Sequence, residues 1–185
     1  MLKLRQLQKE KQQQLAGQSS APSAEAQKPI KASQLRLRKD LGSLDVPPCV
    51  QVDSSRSDSD SIVFLRISPD EGCYRRGTFN FQLVFKDTYP MDPPKVTLLA
   101  KIFHPNIDIQ GNVCLNILRE DWSPVLDLQS IVIGLLMLLL EPNALDPLNK
   151  DAANVLNASR ARFEQLVADS MRGSVVDGQY YDRVV

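Results

Sequence analysis

One stretch of the chain gathers the groups best suited to covalent chemistry: HPNIDIQGNVCLNILREDW, running from His104 to Trp122. Cys114 offers a thiol, whose thiolate form is a nucleophile. Asn106 and Asn116 offer amides that can steer a carbonyl oxygen, and Asp146 offers a carboxylate that can orient an amine. A lone cysteine is more often a small buried hydrophobe than a nucleophile. Here the position favours reactivity. It falls in a long loop between strand and helix patterns, where reactive groups tend to sit, and turn formers flank it, which would leave the sulfur accessible. Cys49 follows Pro-Pro and Cys73 follows a turn, and neither has such company. Arg119 is matched by Glu120 and Asp121, so no basic cluster lowers the thiol from its usual value of about 8.5, and modest reactivity is expected.

The scarce residues exclude much. There is one histidine, His104, and three cysteines, with no CxxC and no HExxH, so a Cys/His zinc site is not expected. Neither GxxxxGK[ST] nor GxGxxG occurs, so no nucleotide site and no cofactor are expected. Acids and bases balance at 22 each, against a general nucleic-acid binder. The longest apolar run, Ile131 to Leu140, falls well short of the ~20 residues of a membrane span and reads as a buried helix. The opening MLKLRQLQKEKQQQ is too polar for a secretory signal, and the odd cysteine count suits a reducing compartment.

These groups need elements to position them. Residues 1–32 carry six bases and two acids, a net of +4, with few large apolar groups, and read as a flexible basic arm. Met1, Leu2, Leu4 and Leu7 would form one apolar stripe were the opening helical: either a frayed terminus or a motif that folds into a partner's groove. Residues 33–185 read as a single core. Ser33 is the expected cap of a helix through Leu44, with Leu37, Leu41 and Leu44 on one side and Arg36, Arg38 and Lys39 on a solvated face. Strands are predicted at Ile62–Ile67, at Phe79–Phe85, where alternate residues are apolar, and at Val96–Leu99. Short turns between them favour an antiparallel meander. KDTYPMDPP, from Lys86 to Pro94, is loop, because proline gives the ladder no donor. Asp127 is the expected cap of LQSIVIGLLMLLL, apolar on nearly every side, and helices follow at Lys150–Leu156 and Ser159–Met171. The order is that of an α+β protein.

His104-Pro105-Asn106, Cys114 eight residues beyond, Trp122-Ser123-Pro124, Tyr89-Pro90 with Pro93-Pro94, and Glu141-Pro142-Asn143 with Asp146-Pro147-Leu148 stand in one order and spacing. Over residues 33–171 the chain thereby resembles the ubiquitin-conjugating enzyme family. CLNILREDW, with Asn116 where most ubiquitin-specific members carry an acid, is similar to the branch that handles the modifier Nedd/Rub, as are the opening Met-Leu-Lys-Leu and the basic arm. The resemblance implies an N-terminal helix, a four-stranded antiparallel meander, a long active-site loop, a buried central helix and C-terminal helices.

It implies, too, that Cys114 takes the modifier from a heterodimeric activating enzyme as a thioester and yields it to lysines, on cullins, with a RING-type ligase. ATP is used upstream, not by this chain. Asn106 would donate to the oxyanion, Asp146 would orient the lysine, and His104, Pro105 and Asn116 would shape the loop. Arg36, Lys39, Met91, Ser123 and Pro124 would dock partners. The arm would dock through Leu4 and Leu7, although Arg5 stands where that branch favours an aromatic, and acetylated Met1 with Leu2 would enter a pocket on a ligase co-factor. The expected setting is cytoplasm and nucleus. Competing readings are a conjugating enzyme for ubiquitin or another modifier, an inert adaptor of the same fold, and a thiol hydrolase pairing His104 with Cys114.

Overall fold

The alternation at residues 79–84 is resolved as its period requires, with Phe79, Phe81 and Leu83 fully buried and Asn80 facing solvent. The computed structural model describes residues 29–185. The readings made for the arm, including Met1, Leu2, Leu4 and Leu7, lie outside the described residues. Lys31–Val185 form one unit.

Its centre is a sheet of β1 (Val50–Asp53), β2 (Ile62–Ile67), β3 (Phe79–Val84) and β4 (Lys95–Leu98), antiparallel and in sequence order. Leu65 opposes Phe81, and Leu83 opposes Val96. β1 is not among the strands read from the sequence, although Val50 and Val52 alternate with Gln51 and Asp53. Leu99, expected in β4, lies beyond it and is exposed.

Helix α1 (Ala32–Gly42) corrects the expected cap. Ser33 lies inside the first turn and is buried, while the Gln34 side chain accepts the Lys31 N–H at 3.1 Å. Leu37 is buried as expected, and Leu41 and Leu44 are half-buried. A four-residue helix, α2 (Ser57–Asp60), interrupts the β1–β2 connection. Helix α3 (Leu128–Leu140) is capped by Asp127, whose Oδ1 accepts from Ser130 N and Oγ at 2.9 and 2.8 Å. Its burial is less complete than its composition suggested: Ile133 and Met137, one turn apart, remain 49% and 44% exposed. Helices α4 (Lys150–Ala158) and α5 (Arg160–Met171) follow, with Phe163, Leu166 and Val167 turned into the core. A hairpin of β5 (Val175–Val176) and β6 (Gln179–Tyr180), closed by Asp177-Gly178, ends the order. Among the described residues, no helix is long and apolar enough to cross a membrane.

The face of α1 expected to be solvated is half-buried at Arg36, whose side chain is engaged within the fold. Its guanidinium pairs with Asp40 at 2.8 Å and donates to the carbonyls of Pro124 and Leu126 at 2.9 and 2.7 Å. It also lies 5.6 Å from the centre of the Tyr89 ring. The Tyr89 hydroxyl donates to the other oxygen of Asp40. Trp122 Nε1 donates to Pro90 O at 2.9 Å. Helix, proline-rich loop and the Ser123-Pro124 segment are thus fixed to one another through a buried carboxylate. Lys39 stays exposed. Asp40→Ala would leave the hydroxyl and the guanidinium without their shared acceptor, and should cost about 3 kcal/mol in urea unfolding; a loss below about 1 kcal/mol would show that the network does not hold the loops.

Candidate functional site

The loop after β4 is folded by local contacts. Gly111, at φ +81°, sits so close to Leu98 that a β-carbon there would meet Leu98 O at 2.0 Å. Its carbonyl accepts the Leu98 N–H at 2.9 Å. Asp108 closes the tip, accepting from Gln110 N and Asn112 N at 2.9 Å each. The returning strand then brings Cys114 N–H to Asn106 O at 2.8 Å. Beyond it, Asn116–Leu118 form a single 3₁₀ turn against α3. Gly134 makes room for this turn: a β-carbon there would lie 2.9 Å from Leu115 and 3.0 Å from Ile117.

His104 is completely buried and stacks on Tyr74, ring centres 5.1 Å apart. Nδ1 accepts the Asn106 N–H at 2.9 Å, so the proton resides on Nε2, which donates to Leu138 O at 3.0 Å. Burial pushes its pKa down to about 4. Both ring nitrogens are occupied by backbone, which rules out a His104–Cys114 dyad.

Pro105 and Asn106 hold the segment after α3. Pro105 O accepts from Leu148 N and Asn149 N, both at 2.9 Å. Asn106, itself buried, accepts from Asn143 N at 3.2 Å and donates to Leu145 O at 3.4 Å. Its amide is therefore engaged in the fold, with one N–H left over for other work. Asn149 caps α4 by accepting from Ala152 N at 3.0 Å.

The segment so held carries Asp146, at φ +46°, with a side chain 75% exposed. Its Oδ2 lies 3.6 Å from Cys114 Sγ and 3.6 Å from the Arg119 guanidinium. Cys114 itself is only 5% exposed, contrary to the accessible sulfur expected from its flanking turns, yet it stands outside the apolar core cluster. The carboxylate touching it is open to solvent, so the sulfur lies one side chain from water. Burial raises the thiol pKa most; Arg119 opposes, and Asp146 adds to the rise by charge and hydrogen bond. At rest the sulfur carries its proton.

Asn116 is exposed, and its backbone carbonyl accepts from Arg119 N and Asp121 N, closing the turn after Cys114. Arg119 was dismissed as neutralised by its neighbours, but the 3₁₀ turn carries it to Asp146. Arg36 belongs to the scaffold. Met91 is 70% exposed, Pro124 is exposed and Ser123 half-buried. Among the described residues, no group of three His, Cys, Asp or Glu side chains could hold a metal ion.

A family model described as ubiquitin-conjugating enzyme matches residues 36–171. The chain belongs to that family, and its fold is the one the motifs implied. It is a transferase for a ubiquitin-like protein, working through a cysteine thioester. It is 54% identical to the NEDD8-conjugating enzyme UBC12 of Eremothecium gossypii, over 100% of this chain and 99% of that protein. It is 50% identical to the Saccharomyces cerevisiae NEDD8-conjugating enzyme UBC12, with the same coverage. Against the Nedd8-conjugating enzyme UbcE2M of Drosophila melanogaster the identity is 50%, over 84% and 86% of the two chains. The solved structure of S. cerevisiae Ubc12 superposes with a TM-score of 0.80 at 49% identity, over 98% of each chain.

His104 yields a pH prediction. Its pKa is lower folded, about 4, than the ordinary 6.5 of the unfolded chain. Below pH 6.5 the unfolded state therefore binds the proton first, and stability falls as pH drops towards 4, by up to about 3 kcal/mol. Urea unfolding of wild type and His104→Gln should differ by a constant above pH 6.5 and converge below it. Parallel curves would contradict a neutral buried imidazole.

Proposed function

We propose that this chain accepts a Nedd8-type modifier from its activating enzyme as a thioester on Cys114 and passes it to lysines of acceptor proteins. The observation that carries the reading is the sulfur set against Asp146 on a segment held by Asn106. The relatives at about 50% identity, named as NEDD8-conjugating enzymes, support the choice of modifier.

In the first step the Cys114 sulfur attacks the thioester carbonyl on the activating enzyme. A carbon–sulfur bond forms on Cys114, the other breaks, and the proton leaving Cys114 ends on the departing thiolate. Exchange between like thioesters is near balance, so the step needs neither a nucleotide nor a metal on this chain. A thiol held protonated at rest suits a carrier that reacts only with a seated partner.

In the second step a lysine amine replaces the sulfur. It arrives mostly charged, with an ordinary pKa of about 10.4. Asp146, exposed beside the sulfur, is placed to orient it and help it lose a proton. The remaining N–H of the Asn106 amide can stabilise the oxyanion, a contribution of about 3 kcal/mol in acyl-transfer enzymes. This makes Asn106 a holder of the loop as well as a donor.

Cullins as acceptors, a RING-type ligase and its co-factor as partners, and docking through Lys39, Met91, Ser123 and Pro124 complete the reading. Exposed Met91, with Val125 at 88% exposure, supports an adaptable apolar contact. The same reading puts the enzyme in cytoplasm and nucleus, where three free cysteines stay reduced. Incubation with ATP and either the Nedd8 or the ubiquitin activating system, read by non-reducing electrophoresis, tests it. A thiol-sensitive band should form with Nedd8 and vanish in Cys114→Ala. Loading by ubiquitin alone would overturn the choice of modifier, and no loading by either would favour an adaptor.

A further inference from the structure

A recess of about 550 Å³ opens between the β2–β3 turn and α5, and shares no residue with the site around Cys114. Four guanidinium groups line it, those of Arg75, Arg76, Arg160 and Arg172, against the single side-chain carboxylate of Glu164. Arg160 pairs with Glu164 at 3.0 Å, and Arg172 with Asp169 at 3.3 Å. Arg75 and Arg76 pair with no carboxylate among the described residues. Arg76 stands at φ +71°, in the left-handed region. Cys73 on the wall adds no charge of its own, because burial pushes its thiol up to about 11. This local excess of cations stands in a chain whose acids and bases balance at 22 each. A general affinity for polyanions does not follow from it; a confined anionic partner does.

The recess meets a neighbouring groove of about 390 Å³ at Arg160, which lines both. The groove is lined also by Glu141, Asn143 and Leu145, part of the segment gripped by Asn106, and Asp146 follows Leu145 in the chain. An extended peptide advances about 3.3 Å per residue, so one short segment can lie in the recess and send a nearby lysine along the groove. We propose that the recess docks an acidic segment of the acceptor protein, so that the enzyme favours lysines with carboxylates a few residues away. Guanidinium forks match carboxylates in shape as well as charge. This inference rests on the proposed transfer to protein lysines.

The test uses the full chain and a fluorescein-labelled peptide carrying one lysine beside a run of aspartates, with a serine-glycine peptide of equal length as control. Anisotropy with the unloaded enzyme should show binding of the acidic peptide only, weakened by salt. Arg75→Gln with Arg76→Gln should weaken it roughly fivefold, and Glu164→Gln should tighten it. In discharge from the loaded thioester, the double variant should raise the KM for the acidic peptide by a similar factor, leaving kcat and the rate with free lysine unchanged. Equal binding of the two peptides, or variants that bind as wild type, would overturn the proposal. So would arginine-dependent binding of inorganic tripolyphosphate or of phosphatidylserine vesicles without binding of the peptide. Failure of loading would tell against the Nedd8 reading instead, while the anisotropy would still decide the docking.

Discussion

A neutral imidazole buried in the core is the constraint on which the site depends. His104 satisfies one backbone donor, the Asn106 N–H, and one backbone acceptor, Leu138 O, at the end of α3. A charged imidazole could not accept the first of these. With the ring fixed, Pro105 and Asn106 face the segment after α3 and bind it at four points: Asn143, Leu145, Leu148 and Asn149. The chain there has two prolines and no regular structure, so without these bonds little would hold Asp146 at the sulfur. The same tripeptide reaches the other way, through Asn106 O, to the Cys114 N–H. One short run of residues thereby sets the distance between nucleophile and carboxylate.

The electrostatics of that pair suit a carrier. Burial, and a carboxylate in contact, keep the thiol protonated at rest, while Arg119 restrains the effect by pairing with the same carboxylate. A sulfur activated by a basic cluster would also react with small electrophiles. In the proposed reaction, reactivity is raised by the partner that delivers the modifier, and the carboxylate acts when an amine arrives. The second cluster, of Arg36, Asp40 and Tyr89, does comparable work where α1, the proline-rich loop and the Ser123-Pro124 segment meet, setting loops that short apolar contacts would leave loose.

Much of this was legible in the sequence wherever a local rule decides the outcome. The alternation in β3, the Asp127 cap and the apolar face of α5 are fixed by period and capping chemistry, and they appear as read. β1 was missed although Val50 and Val52 alternate with Gln51 and Asp53, a short run directly after Pro47-Pro48, and the Asp177-Gly178 hairpin was passed over although that pair is a strong turn signal. Ser33 has the residue type of a cap, but the cap is Lys31, two residues earlier. At the site, Cys114 stood out by its loop, while Asn106 and Asp146 could be named only through the resemblance to the family. What could not be read was which atoms they use: that the Asn106 amide is occupied by the segment after α3, that Arg119 reaches Asp146, and that Arg36 is held by the Pro124 and Leu126 carbonyls. Those depend on contacts between residues 27 to 90 positions apart, which no local pattern encodes.

The central claim is that Asn106 positions Asp146 against the sulfur. It is tested most directly by the pH dependence of Cys114 alkylation by iodoacetamide, read at that residue by mass spectrometry, in wild type, Asp146→Asn and Asn106→Ala. Because the carboxylate and burial both raise the thiol pKa, the account predicts that the two variants shift the profile in the same direction, to lower pH. If Asn106→Ala left the profile where it is in wild type while Asp146→Asn moved it, the hold of Asn106 on the carboxylate would be contradicted.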